Sequence, residues 1–180
     1  LRARRVMQED PKQAIELIKE AAQDEKSCDQ CPLYLAMAYE KLNNIPSAIQ
    51  SLKSATGSKN QNIANNALAE LYNLYRNNFI KSSDTQKRFT LAQEAQKLER
   101  KLKIADGFGG GFLLKFYKNQ FKKEMKNHKL KKAIQSLKNI LATFAPASRK
   151  KNIIKDANRQ LRAYFIKEFS ARLPQIKADL

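Results

Sequence analysis

Two cysteines three positions apart, in Cys28-Asp29-Gln30-Cys31, are the first side chains of this sequence whose types and spacing suit chemistry. A C-x-x-C pair serves thiol exchange when a β-strand leads into it and a helix N-terminus lowers the thiol pKa. Pro32 opens a helical pattern directly after Cys31, but no strand pattern precedes Cys28. A zinc site needs a second pair of ligands. His128, the single histidine, lies 97 residues beyond Cys31. Haem attachment asks for His after the second Cys, and Pro32 stands there. Two uses stay open: a loop disulfide in an oxidising compartment, or two free thiols in a reducing one. A disulfide would point to an extracytoplasmic location.

The run Asp106-Gly107-Phe108-Gly109-Gly110-Gly111-Phe112 holds four of the five glycines. A phosphate cradle would continue into Gly-Lys-Ser/Thr after a strand, and neither is present. Clustered glycine is otherwise punctuation, so 105–112 reads as a hinge. His128 has no neighbouring Ser, Cys or paired carboxylate to activate it. The acids beyond Ile104 are Asp106, Glu124, Asp156, Glu168 and Asp179, none in a tight pair. No general acid and base assemble from these residues. The expectation is therefore no catalytic residue, no metal and no cofactor.

The best-formed constellation is electrostatic. Lys115, Lys118, Lys122, Lys126 and Lys129 step by three and four, which puts them on one helix face. Lys151, Lys155, Arg159 and Arg162 form a second stripe. Each flanks an apolar stripe, an arrangement that suits phosphate backbones or anionic headgroups. The Phe and Tyr residues fall mainly on the core side, which gives sequence-specific RNA reading little support. The whole 180-residue chain carries +18, with 35 Lys/Arg against 17 Asp/Glu. Residues 104–180 hold eighteen of those cations and five of the acids, so +13 lies there. Such asymmetry points to an acidic partner or to a Lys-rich solvated face.

The elements that carry these groups are helical. Few Gly and Pro, with abundant Ala, Leu, Lys, Gln and Asn, favour helices over a sandwich or a disordered chain. Asp10-Pro11 is a cap followed by Pro at the first helical position. From there a helix to about Gln23 buries Ala14, Ile15, Leu17, Ile18, Ala21 and Ala22. After a polar turn over Asp24–Gln30, Pro32 opens a helix to about Leu42 that buries Leu35, Ala36, Tyr39 and Leu42. A third, from Pro46, buries Ala48, Ile49, Leu52 and Ala55, and Gly57 takes a left-handed closing position. Ile63 to about Tyr75 is a fourth, and 89–104 a fifth after a lengthened turn. Beyond the glycines lie Leu113–Lys126, Leu130–Phe144 and a long helix from Ser148 to about Leu173, stopped by Pro174. In it, Phe165 and Phe169 count as core. No apolar run approaches the roughly 18 residues that cross a bilayer. The chain begins without Met and shows no apolar signal segment, as a trimmed product or an excised domain would.

The apolar positions also repeat. Ala14, Ile18 and Ala21 return 34 residues later as Ala48, Leu52 and Ala55. Leu35, Ala36 and Tyr39 return 33 residues later as Leu68, Ala69 and Tyr72. On these residues the stretch from Pro11 to Ile104 resembles the tetratricopeptide repeat superfamily, whose period is about 34 residues in two short helices. The chain departs from the pattern at Pro32 and Asn65, where the family often has an aromatic, and at Asn60, where a closing Pro is missing. The resemblance implies an all-α protein: an α-solenoid of antiparallel helix pairs over 1–104, with 113–180 a basic three-helix segment that continues or caps it. It also implies close helix contacts at Ala36 and Ala69. The inner groove would present Leu33, Met37 and Glu40 from one helix and Asn66, Glu70 and Asn73 from the next. That lining suits an apolar or mixed peptide better than an anionic one. The function so implied is non-catalytic protein binding, as scaffold or adaptor. Nucleic-acid or anionic-surface binding through the basic helices is the alternative.

Overall fold

The computed structural model describes residues 2–24 and 28–178. Among them lie nine helices and no strand: α1 (Arg2–Glu9), α2 (Pro11–Asp24), α3 (Cys31–Lys41), α4 (Ile45–Ala55), α5 (Gln61–Lys81), α6 (Thr85–Lys101), α7 (Phe108–Lys126), α8 (Leu130–Ala142) and α9 (Ala147–Ala178). The chain divides into two compact units, Leu1–Lys81 and Ser82–Leu180. The polar turn expected over 24–30 falls partly on residues 25–27, which lie outside the described residues, as does Leu1.

In the first unit each helix packs on the one before and the one after it, from α1 to α5. Local signals in the sequence start these helices. Asp10 Oδ1 accepts from the backbone N–H of Lys12 and Gln13, both at 3.0 Å, and so caps α2. Asn44 caps α4 by accepting from Ser47 N–H at 3.3 Å. Where helices meet, Ala14, Ala36, Ala38 and Ala48 are fully buried. With no side chain beyond Cβ, they let adjacent backbones come close. Ala21, Ala22 and Leu42 are exposed instead of buried.

The helix expected over 63–75 is longer: it is α5, of 21 residues, and it buries Ile63, Ala64, Ala67, Leu71, Leu74, Tyr75 and Phe79. Ala67 is fully buried while Ala69 is exposed. Within its unit α5 packs chiefly on α4, which leaves Ala69 exposed. The close contact expected at Ala69 is thus made two residues earlier.

The second unit stacks α6 on α7 and α7 on α8, with α9 touching both α7 and α8. Phe121, Ala133 and Ala157 form its inner cluster, with Met125, Leu137 and Leu161 packed around them. The glycine run does not form a hinge. Its last three glycines lie in the first turn of α7, and Gly109 and Gly110 are buried. Their backbone N–H groups donate to the two carboxylate oxygens of Glu99, at 2.8 Å and 2.9 Å. Glu99 itself is fully buried. A carboxylate at a helix N-terminus meets both unpaired donors and the positive end of the helix dipole.

A methyl group on Gly109 would stand 2.6 Å from the Ala92 carbonyl oxygen, and one on Gly110 would run into that of Phe144. These glycines are contact surfaces, not a linker. The reason the sequence misleads here is that helix propensity penalises glycine, while close packing requires it.

Helix ends also differ from expectation. No glycine has positive φ, so Gly57 is not a left-handed cap. Asn43, Lys103 and His128 take that conformation, with φ of 54°, 56° and 55°. Asn43 and His128 close their helices with the paired bonds of a Schellman motif, as in Asn44 N–H to Tyr39 O at 2.8 Å, and at Lys103 the outer bond, Ile104 N–H to Glu99 O at 2.8 Å, is present. Helix α9 begins at Ala147 and runs through Pro174 rather than stopping there.

Substituting Ala for Gly110 should cost about 1–3 kcal/mol, because the Phe144 backbone cannot swing aside as a side-chain tip would. At Gly57 the same change meets only the Ser54 carbonyl at 3.4 Å, so stability should stay within about 0.5 kcal/mol. Thermal melts of the two variants check the pair, and equal melting temperatures would contradict the packing role.

Candidate binding groove and basic faces

A groove of about 890 Å³ opens on the first unit between α1, α3, α4 and α5. The floor is apolar, from Met7, Leu33, Met37, Leu52 and Ile63. Glu40, Asn66 and Glu70 stand along its polar side. Of the six groove residues expected from sequence, five come together here; Asn73 does not line it. Met37 is 45% exposed and so remains available to a partner.

Sequence reasoning missed the contribution of α1. Met7 is 1% exposed, and it packs with Ala14, Ile15, Ile18 and Cys31. Lys41 also lines the groove, and its ammonium donates to Gln8 Oε1 across from α1. Among the described residues the groove therefore holds one cation, hydrogen-bonded to Gln8, against two carboxylates.

Glu40 is where that balance is felt. Loss of hydration pushes its carboxyl above the ordinary carboxylate range, and the Glu70 carboxylate adds to the rise. A cation placed between the two would relieve both effects.

Cys28 and Cys31 are joined by a disulfide at the start of α3, so of the two uses left open by the sequence the structure has the loop bond. Cys31 is buried and Cys28 half-buried against the same cluster as Met7. His128 serves as the left-handed cap of α7, its ring 5.8 Å from that of Tyr164.

In the second unit Lys115, Lys118, Lys122 and Lys126 lie along α7, as the spacing implied. Lys129 does not continue the line, because the left-handed turn at His128 carries the chain out of the helix. Lys151, Lys155, Arg159 and Arg162 share one face of α9 and edge an open furrow of about 500 Å³ with Ile154 and Asn158. Farther along α9 the expected core is absent. Phe165, Ile166 and Phe169 are 53%, 67% and 61% exposed. Ile134 and Leu141 of α8 are exposed as well, while Ala133, Ser136 and Ile140 of the same helix turn inward.

Residues 5–71 match the family model of the tetratricopeptide repeat. That segment is a tetratricopeptide-like helical repeat. The match runs from within α1 to the middle of α5 and contains every lining residue of the groove named above. No curated protein and no solved structure matches the chain. Tetratricopeptide repeats generally mediate protein–protein interaction and are typically non-catalytic. Among the described residues no helix is long and apolar enough to cross a membrane.

Leu in place of Ala36 should overpack the α2–α3–α4 contact and cost about 1–3 kcal/mol. The same change at the exposed Ala69 should be tolerated within about 0.5 kcal/mol. Urea titrations of both variants read the difference, and matched midpoints would refute the assignment of Ala36 to the close contact.

Proposed function

We propose that the first unit is a non-catalytic module that binds a segment of a partner protein in the groove lined by Leu33, Met37, Glu40, Asn66 and Glu70. The observation that carries this reading is the groove's composition: an open apolar floor beside two coupled carboxylates. Apolar side chains of the partner would bury against Leu33 and Met37, which supplies most of the affinity. A Lys or Arg at a matching position would sit between Glu40 and Glu70 and fix the register. A C-terminal carboxylate is a poor fit, since Lys41 is engaged by Gln8 and two acids face the space. The role that follows is scaffold or adaptor, with no catalytic residue and no cofactor.

A second reading concerns the basic helices. Of the +18, residues 82–180 carry +16, from 24 Lys/Arg against eight Asp/Glu. Their faces on α7 and α9 favour contact with a polyanion.

Met37→Glu should abolish partner capture at moderate salt without unfolding the unit, because Met37 is already exposed. Acid should weaken the wild-type interaction, since protonating Glu40 removes the charge that a bound cation needs. The sign for stability is opposite. A carboxyl whose folded pKa is raised binds its proton more tightly when folded, so stability of the free protein falls as pH rises through that range. Partner capture that survives Met37→Glu unchanged would overturn the groove reading.

For the second reading, reversing Lys118, Lys122 and Lys126 to Glu should cut heparin retention strongly. Reversing Lys41, Lys53 and Arg76 should cut it little. Equal losses would mean that net charge alone is responsible.

A further inference from the structure

The outward face of α9 changes character along its length. Lys151, Lys155, Arg159, Arg162, Ile166 and Phe169 follow one another by steps of three and four, with Phe165 beside them. That spacing keeps them on one side of a helix with 3.6 residues per turn. The opposite side is the packed one, through Ala157 and Leu161. Four cations thus occupy the first part of the stripe and three large apolar side chains the next. Both acids of the same stretch, Asp156 and Glu168, fall off it by helical spacing.

We propose that this face of α9 docks on an anionic phospholipid surface, with the cations on headgroup phosphates and Phe165, Ile166 and Phe169 in the headgroup–acyl boundary. The inference rests on the second reading above, polyanion binding by the basic helices, and says which polyanion. An amphipathic basic helix lying in the membrane interface gains from both kinds of contact.

Three observations favour lipid over its competitors. Ile166, the most exposed of the three at 67%, is aliphatic and has no stacking partner in a nucleic acid, where base recognition calls on aromatic planes. The apolar group is also set apart from the cations along the axis rather than interleaved with them, so a single strand could not meet both with alternating base and phosphate. A second copy of the same face would bring four cations against four cations in a parallel pairing, and unpaired cations against apolar side chains in an antiparallel one, and either opposes self-pairing.

The test uses the full chain and sedimentation with vesicles of phosphatidylcholine, alone or mixed with phosphatidylserine, alongside heparin chromatography. Wild type should bind the mixed vesicles and not the neutral ones. The variant F165S/I166S/F169S should lose vesicle binding about tenfold or more, as removal of three buried apolar groups implies, and keep its heparin retention. K155E/R162E should lose both. Since all five positions are on the surface, circular dichroism should be unchanged throughout. Vesicle binding that survives the apolar triple variant overturns the proposal, as does heparin binding with no vesicle binding, which leaves the polyanion reading standing. Failure to bind either probe overturns both. A dimer dissolved by the triple variant would assign the face to a second copy and likewise overturn the proposal.

Discussion

The carboxylate of Glu99 is the one charged side chain fully buried among the described residues, and the second unit is arranged around it. A buried carboxylate is costly unless its oxygens are met by donors. Here the donors are two backbone N–H groups at the start of α7. For those amides to reach Glu99, α7 must begin within a few ångströms of α6, and only glycine leaves room. Close approach in turn seats Gly110 against the Phe144 carbonyl, where the chain passes from α8 to α9. One charge on α6 thereby fixes the start of α7 and, through it, the corner that leads into α9. Nearby, Arg149 and Asp106 join at 2.7 Å, with both side chains more than half exposed; such a pair adds little stability.

Among its described residues the first unit has no such charge. Its contacts rely on alanines at positions where helix backbones converge, with larger apolar groups filling the remaining space. Ala14, Ala36 and Ala48 are buried to the last atom. Repetition of small residues lets one helix pair follow another with the same spacing, and the groove is the space left on one side of that stack.

Much of this architecture was legible because it rests on local signals. Asp10 and Pro11 mark a helix start that the structure bears out, and the Ala-Leu-Tyr periodicity finds four of the five helices of the first unit, α2 to α5. What was not legible depended on neighbours. Ala69 and Leu68 sit in the same local pattern as Ala36 and Leu35, yet within its unit α5 packs chiefly on α4, so Ala67 and Leu71 are buried while Ala69 is left exposed. Phe165 and Phe169 have core-like spacing, and nothing in α9 itself says that no helix covers them. The glycine run reads as a break because propensity describes isolated helices, whereas Glu99 supplies a partner that a single segment cannot reveal. Left-handed caps on Asn43, Lys103 and His128 were invisible for the same reason. Glycine is the usual choice there, and of these three only Asn43 is a common alternative.

The disulfide between Cys28 and Cys31 spans a sequence separation of three. In the loop-entropy account a ring this small removes only about 2 kcal/mol of unfolded-state freedom, against about 4.7 for a 100-residue loop. Its main effect is therefore on direction rather than on stability. The bond pins the first turn of α3, and that turn leads straight into Leu33 and Met37, two of the groove's floor residues. The bond thus ties Cys28, just ahead of α3, to the first residue of the helix whose next turns carry the groove floor.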